Sequence, residues 1–140
     1  MAKRSPVIEM TSHGIYTQWD SKSKHLPKIQ EFTTRVPAEI DIEFGFVVKI
    51  KKAKGALIEY GIEHPGILSK KGELLEPFVG DVHVGSNDWD FYLGDTIWDP
   101  IEDKVGKWRM YLAMDGRVIA EKTFDVHARD EGEFWKRRGF

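Results

Sequence analysis

Apolar and polar residues alternate strictly from Ile40 to Ile50. Successive side chains of a β-strand point to opposite faces, so this alternation predicts a strand with one buried face. The buried set is Ile40, Ile42, Phe44, Phe46, Val48 and Ile50. Shorter runs of the same kind predict six more strands: Val7 to Trp19, Leu57 to Glu63, Leu74 to Gly85, Asp88 to Leu93, Lys107 to Met114 and Val118 to His127.

Turn-forming pairs separate these segments, and no helical periodicity of normal length occurs before residue 128. The pairs are Lys54-Gly55, Pro65-Gly66, Ser86-Asn87 and Asp115-Gly116. Short strands at such spacing are typical of an all-β sandwich. We therefore predict an all-β, antiparallel two-sheet sandwich of about seven strands.

Two hairpins follow from matching apolar positions across turns, because a slip of one residue would exchange the two faces. A two-residue turn at Ser86-Asn87 pairs Val84 with Trp89, His83 with Asp90, and Val82 with Phe91. A three-residue loop with a bulge at Asp115-Gly116-Arg117 pairs Trp108 with Phe124, Leu112 with Ala120, Met114 with Val118, and Met110 with Lys122.

The periodic pattern predicts one sandwich domain over residues 1–127 and a charged tail over residues 128–140. The stretch from Asp20 to Pro37 lacks periodicity and predicts a loop or crossover. The tail carries two aromatic residues, Phe134 and Trp135, among its charges. It is expected either to lack structure or to form a short docked helix, which would also offer a route to a homodimer.

Composition restricts the class of function. The chain has 140 residues, a net charge of −2 and no cysteine. Nucleic-acid binding is not expected without a basic excess, and no apolar run suits a signal peptide or a membrane span. Without cysteine there are no disulfides, thiolate metal sites or cysteine nucleophiles. These features predict a cytoplasmic protein that contacts neither nucleic acid nor membrane, and we expect no cofactor.

The closing segment resembles the last hairpin of immunoglobulin-like modules. Its matching residues are Gly106-Lys107-Trp108, Asp115-Gly116, Ala120-Glu121-Lys122 and Phe124-Asp125-Val126. Taken with Gly14-Ile15-Tyr16, Phe44-Gly45-Phe46 and His64-Pro65-Gly66, the chain resembles a bacterial family catalogued as domain of unknown function 3859. The resemblance spans about Val7 to Val126 and implies an immunoglobulin-like sandwich. It implies no activity and no catalytic residue.

Charge is distributed unevenly along the chain. Seven acidic residues and no Lys or Arg lie between positions 81 and 103: Asp81, Asp88, Asp90, Asp95, Asp99, Glu102 and Asp103. That segment carries −7 and the rest of the chain +5, which together give the net −2. Such a field steers a cationic partner or a metal ion, or promotes head-to-tail association.

The predicted register places Asp81, His83, Asp88 and Asp90 on one face, where they would suit a divalent cation. This supports a metal-binding protein or metal-dependent hydrolase. The competing interpretation is a solvated sheet face on which His83 pairs with Asp90. No metal-binding loop of the EF-hand kind supports the first interpretation.

Aromatic residues beside the acids suggest carbohydrate binding as another alternative. Trp98 and Tyr92, with Trp89, could stack on sugars, although the alternation points Trp89 into the core. His64 precedes Pro65-Gly66 and is expected to serve that turn, because no nucleophile motif accompanies it. An enzyme is therefore the minority interpretation.

The function we expect is a non-catalytic binding or adaptor domain. Its protein partner would be recognised through the acidic segment, the long loop or an exposed sheet edge. The residues expected to contact the partner are Asp95, Trp98, Asp99, Phe134 and Trp135.

Overall fold

The computed structural model describes residues 6–18 and 25–128. This part of the chain contains nine strands and one short 3-10 helix at Glu102–Lys104. The strands are β1 Val7–Tyr16, β2 Ile29–Phe32, β3 Arg35–Pro37, β4 Glu43–Lys51, β5 Leu57–Glu63, β6 Phe78–His83, β7 Asp88–Thr96, β8 Gly106–Met114 and β9 Arg117–His127. The predicted all-β fold is confirmed.

The strands form two sheets that pack face to face. Sheet A has the order β2-β1-β4-β7, and sheet B has the order β3-β9-β8-β5-β6. All pairs are antiparallel except β3 with β9, which run parallel. The predicted two-sheet sandwich is therefore correct, with one parallel pair at the edge of sheet B.

The core lies between the sheets, and β4 supplies its centre. Phe44, Phe46, Val48 and Ile50 are all fully buried, as their alternation predicts. Val47 points to the opposite face of sheet A, yet it is also buried because Tyr16 and Tyr92 pack beside it. This second cluster explains why an apolar residue, Val47, stands on the outer face of β4.

The predicted number of seven strands is wrong, because β2 and β3 lie in the stretch interpreted as a loop. Both are short edge strands, with four and three residues. Three of the four β2 side chains are exposed, so no alternation marks the strand. The predicted start of β4 is also wrong, since Ile40 is exposed in the connection before the strand.

The hairpin predicted at Ser86-Asn87 is wrong. β6 pairs with β5 in sheet B, whereas β7 pairs with β4 in sheet A. Val84 continues the β5 ladder through a backbone bond to Ala56, and the chain then crosses to the other sheet. A short link between two sheets has the same turn residues as a hairpin, so these residues alone do not distinguish the two.

The closing hairpin has the predicted pairs at Trp108, Leu112 and Met110, but its turn is different. Asp115 and Gly116 have φ of 52° and 78°, the positive values of a two-residue type I′ turn. Met114 therefore pairs with Arg117, and the bulge lies within β9, where the register shifts between Leu112 and Ala113. The predicted bulge exists, but its position after Asp115 was wrong.

Candidate functional site

The four residues predicted to bind a metal ion lie on two sheets. Asp81 and His83 belong to β6 of sheet B, whereas Asp88 and Asp90 belong to β7 of sheet A. Lys49 Nζ lies 3.1 Å from the Asp88 carboxylate and 3.3 Å from that of Asp90. The predicted shared face is therefore wrong, as is the pairing of His83 with Asp90. In residues 6–18 and 25–128, no group of three or more His, Cys, Asp or Glu is arranged to hold a metal ion.

The aromatic residues considered for sugar binding also separate. Trp89 stacks on Phe91 against the core, with ring centroids 5.2 Å apart. Tyr92 is only 3% exposed on the outer face of sheet A, where its hydroxyl donates to the carboxylate of Glu43 at 2.5 Å. Trp98 lies beyond the end of β7 and is 36% exposed. Tyr92 and Trp98 therefore do not form one exposed platform.

The strongest candidate site is one end of the sandwich, which we call the loop end. Strands β1, β5, β7 and β9 finish there, and β4, β6 and β8 begin there. The connections 38–42, 64–77 and 97–105 carry half of the ten large hydrophobic side chains exposed in the described part of the chain: Ile40, Leu68, Leu74, Trp98 and Val105. Apolar side chains concentrated on loops and bordered by charge are a mark of interaction sites.

A buried lysine organises the connection 97–105. The side chain of Lys104 is fully buried at the end of the 3-10 helix. Its Nζ donates to the Pro100 carbonyl at 2.8 Å and to the Asp103 carboxylate at 2.5 Å. The same ammonium lies 4.4 Å from the ring centroid of Trp98. Because a buried charge must be paired, these contacts fix the loop around it.

Asp103 joins this loop to the connection 64–77. One carboxylate oxygen accepts from Lys104, and the other accepts from the backbone N–H of Leu68 at 3.1 Å. Burial alone would raise the pKa of Asp103, but these hydrogen bonds outweigh it and lower the pKa. Asp103 is therefore held ionised, and its two hydrogen bonds connect the two loops.

His64 fixes the start of the connection 64–77. Its Nδ1 accepts from the backbone N–H of Ile67 at 3.0 Å, and its Nε2 contacts the carbonyl oxygen of Glu76 at 3.3 Å. One nitrogen accepts and the other donates, which is the pattern of a neutral imidazole. The predicted role of His64 in the Pro65-Gly66 turn is confirmed.

Trp98 is the exposed aromatic residue of the loop end. Its ring meets Trp108 edge to face, with centroids 6.5 Å apart, and lies 6.2 Å from the ring of Phe78. The Lys104 ammonium contacts the Trp98 ring, and the remaining surface of the ring is open to solvent. Trp98 is thus a large side chain held in one orientation at the surface.

Asp95 is half-buried on the inner face of β7, close to these groups. Burial raises the pKa of Asp95 to about 6, and the nearby Glu43 carboxylate acts in the same direction. The backbone N–H of Thr96, which donates to Asp95 at 2.8 Å, and the nearby Lys104 ammonium oppose the shift. Asp95 consequently titrates well above the range of an exposed aspartate.

We expect the substitution Asp95→Asn to flatten the pH dependence of stability. Between the ordinary pKa of 3.8 and about 6, the folded state binds more protons at Asp95 than the unfolded state does. The contribution of Asp95 to stability is therefore largest at low pH and falls as pH rises. In urea denaturation, the free energy of unfolding of the variant relative to that of wild type should rise by about 2 kcal/mol between about pH 4 and about pH 8. If the difference in free energy of unfolding between the two proteins did not change with pH, the raised pKa of Asp95 would be contradicted.

The residues predicted to contact a partner lie in different parts of the molecule. Trp98 and Asp99 are exposed at the loop end, and Asp95 lies beneath them on β7. Phe134 and Trp135 lie outside the described residues. Sequence reasoning missed Lys104, although a lone lysine that ends a long acidic segment was a usable signal for an internal ion pair.

Comparison of the sequence with family models identifies the family of the chain. The chain belongs to the family described as Domain of unknown function (DUF3859), whose model matches residues 4–126. No curated protein matches the sequence. In the part of the chain that the structure describes, no helix is long and apolar enough to cross a membrane.

Among solved structures, the chain is similar to an immunoglobulin-like protein from Pseudomonas aeruginosa. The two are 22% identical with a TM-score of 0.71, over 91% of this chain and 100% of that one. This likeness establishes the immunoglobulin-like fold. A second match is the alkylpurine DNA glycosylase AlkC of Pseudomonas fluorescens, bound to DNA containing an abasic site analog, at 12% identity and a TM-score of 0.40. It spans 68% of this chain and 28% of that one, and such a score carries no argument.

Proposed function

We propose that this domain is a non-catalytic binding domain that recognises a protein partner through its loop end. The observation that carries the proposal is Trp98, an exposed tryptophan held in place by the buried Lys104 ammonium. A few large aromatic side chains supply most of the free energy of binding at protein interfaces. An aromatic ring that is already fixed loses little entropy when it binds.

The neighbours of Trp98 support a protein ligand. Leu68, Leu74 and Val105 add exposed apolar surface on the two loops that Asp103 joins. Apolar surface fixed by internal hydrogen bonds is suited to a preformed complementary surface, as in interfaces that change little on binding. The loop end therefore has the apolar centre that protein interfaces require.

Charge at the rim indicates what the partner carries. Asp99 and Glu102 are exposed beside Trp98, whereas the one lysine of the same loop is buried. The rim of this loop is therefore negative, and a partner with basic residues around an apolar centre would be complementary to it. Within residues 6–18 and 25–128, neither the four residues of the metal-binding alternative nor Tyr92 and Trp98 of the carbohydrate-binding alternative come together in one site.

The test compares proteins captured from a lysate of the producing cells by three immobilised forms of the chain. These are wild type, Trp98→Ala and a control, Val118→Ala, which removes another exposed apolar side chain, in the closing hairpin at the opposite end. We expect a protein recovered with wild type and control to be recovered at least about tenfold less with Trp98→Ala. Equal recovery with all three forms would contradict the proposal.

A further inference from the structure

Strand β7 ends sheet A in the described part of the chain, and its backbone geometry is that of an open edge. Ile97, just after the strand, donates its N–H to Ile42 and accepts from the N–H of Asp41, so its polar groups face the β4 side. Backbone groups alternate in direction along an antiparallel strand, and the β4–β7 register has no shift. The N–H and C=O groups of Asp90 and Gly94 therefore point away from β4.

The two ends of this edge are closed by side chains. Ser86 donates its hydroxyl to the carbonyl of Asp88 at 2.8 Å, and the Asp95 carboxylate accepts from the N–H of Thr96 at 2.8 Å. Both contacts use backbone groups on the side away from β4, as the alternation requires. Between these two ends, the outward backbone groups include those of Asp90 and Gly94.

Aromatic residues line the gap between the edges of the two sheets. Trp89 and Phe91 point inward from β7, and the ring of Phe91 lies 6.1 Å from that of Tyr60 on β5. Tyr60 covers Gly80 of β6, the edge strand of the opposite sheet. All three aromatic rings are only half-buried. A further strand on β7 would cover them with every second side chain.

On the outer face, the outermost charged groups of the same edge are carboxylates. The carboxylates of Asp88 and Asp90 are 65% and 47% exposed. Lys49 contacts both carboxylates and Lys51 lies opposite Asp88 in the register, but both lysines lie on the β4 side. A strand added on the far side of β7 would therefore meet the two carboxylates first. The acidic segment that contains β7 supplies no other cation before Lys104. Two copies pairing through this edge would bring like charges together, which disfavours self-association.

We propose that β7 binds an extended segment of the protein partner as a fifth strand of sheet A, with basic and apolar residues alternating along that segment. Basic side chains would lie beside Asp88 and Asp90 on the outer face, and apolar ones would cover Trp89 and Phe91. The strand leads directly to Trp98, so the added segment would continue the loop-end interface. The inference rests on the proposed function for the nature of the ligand.

The probe is a fluorescein-labelled nine-residue peptide of alternating Lys and Val, titrated with the full chain and followed by fluorescence anisotropy. A peptide of alternating Glu and Val, and one with the lysines and valines in two blocks, serve as peptide controls. We expect the alternating Lys peptide to bind at least about tenfold more tightly than either control. Failure of the alternating Lys peptide to bind would overturn the inference.

Three variants locate the peptide. Asp90→Pro removes an outward N–H without touching the β4 ladder, and proline is tolerated on edge strands. Asp90→Asn removes only the charge. We expect Asp90→Pro to weaken binding about tenfold or more and Asp90→Asn to weaken it less. The matched control is Asp81→Pro on β6, whose N–H also points away from its neighbouring strand, and it should bind like wild type.

Equal binding by wild type and Asp90→Pro, or loss of binding only with Asp81→Pro, would overturn the assignment to β7. If Asp90→Pro does not fold, hydrogen exchange in wild type decides: the peptide should protect the amides of Asp90 and Gly94. A concentration-dependent dimer in sedimentation, abolished by Asp90→Asn or Asp90→Pro, would instead assign the edge to a second copy. Loss of capture by Trp98→Ala with unchanged capture by Asp90→Pro would leave the proposed function intact and remove this inference alone.

Discussion

Replacing Trp108 with alanine should lower the free energy of unfolding by about 4 kcal/mol, a large part of the stability of a domain of this size. Trp108 is fully buried, and its ring meets that of Phe44 edge to face at 5.2 Å. Its indole N–H donates to the carbonyl of Lys104 at 2.8 Å, so the substitution also leaves a buried acceptor without its donor.

Urea denaturation followed by circular dichroism would measure this change, with Trp98→Ala as the control. Trp98 is the same residue type in a partly exposed position, and its removal should cost only about 1 kcal/mol, mainly through the lost contact with Lys104. Equal costs for the two substitutions would contradict the division into one structural and one surface tryptophan. A small cost at Trp98 is also what makes Trp98→Ala usable as a binding variant.

Removing the buried ammonium in Lys104→Ala should destabilise the protein by about 3 kcal/mol. The substitution removes the donor to one oxygen of Asp103 and to the Pro100 carbonyl, and it opens a cavity beneath Trp98. Lys104→Met keeps most of the side-chain volume, so its cost should be smaller than that of the alanine variant.

Lys107→Ala is the matched control for Lys104→Ala, because Lys107 is exposed on β8 and its removal should change stability by less than about 0.5 kcal/mol. Chemical denaturation of the three variants in parallel would separate these expectations. A cost for Lys104→Ala as small as that for Lys107→Ala would show that the lysine does not organise the connection 97–105.

Local sequence patterns identified the longer strands correctly. The alternation from Phe44 to Ile50 lies within β4, and the run from Leu57 to Glu63 coincides with β5, because burial of one face selects apolar residues at every second position. The short strands β2 and β3 left no such record. They lie at sheet edges, where most side chains remain in water and the pattern carries no information.

Pairing was harder to predict than strand position. The residues from Val82 to Phe91 fit a hairpin and a link between sheets equally well, because both connections need turn residues between two apolar segments. Whether β7 pairs with β6 or with β4 depends on the packing of the two sheets, and β4 is distant from β7 in sequence. The pairing of the closing hairpin was easier to predict, since its two strands are consecutive in the sequence and joined by one turn.

The candidate site was predictable in its exposed residues and not in its supporting ones. Trp98 and Asp99 stood out beside a proline in an acidic segment. Lys104 and Asp103 looked like ordinary surface charges, because a buried ion pair and a solvated one have the same sequence. The roles of these two residues depend on the packing of connections 64–77 and 97–105, which no local pattern encodes.

The most direct test of the loop-end interface is the dissociation constant of a partner purified by the capture experiment, measured against wild type, Trp98→Ala and Val118→Ala by titration calorimetry. A central tryptophan anchor predicts a loss of about 2 kcal/mol, or about 30-fold, for Trp98→Ala and a change of less than about twofold for Val118→Ala. Equal dissociation constants for all three proteins would show that the partner binds elsewhere and would contradict the account.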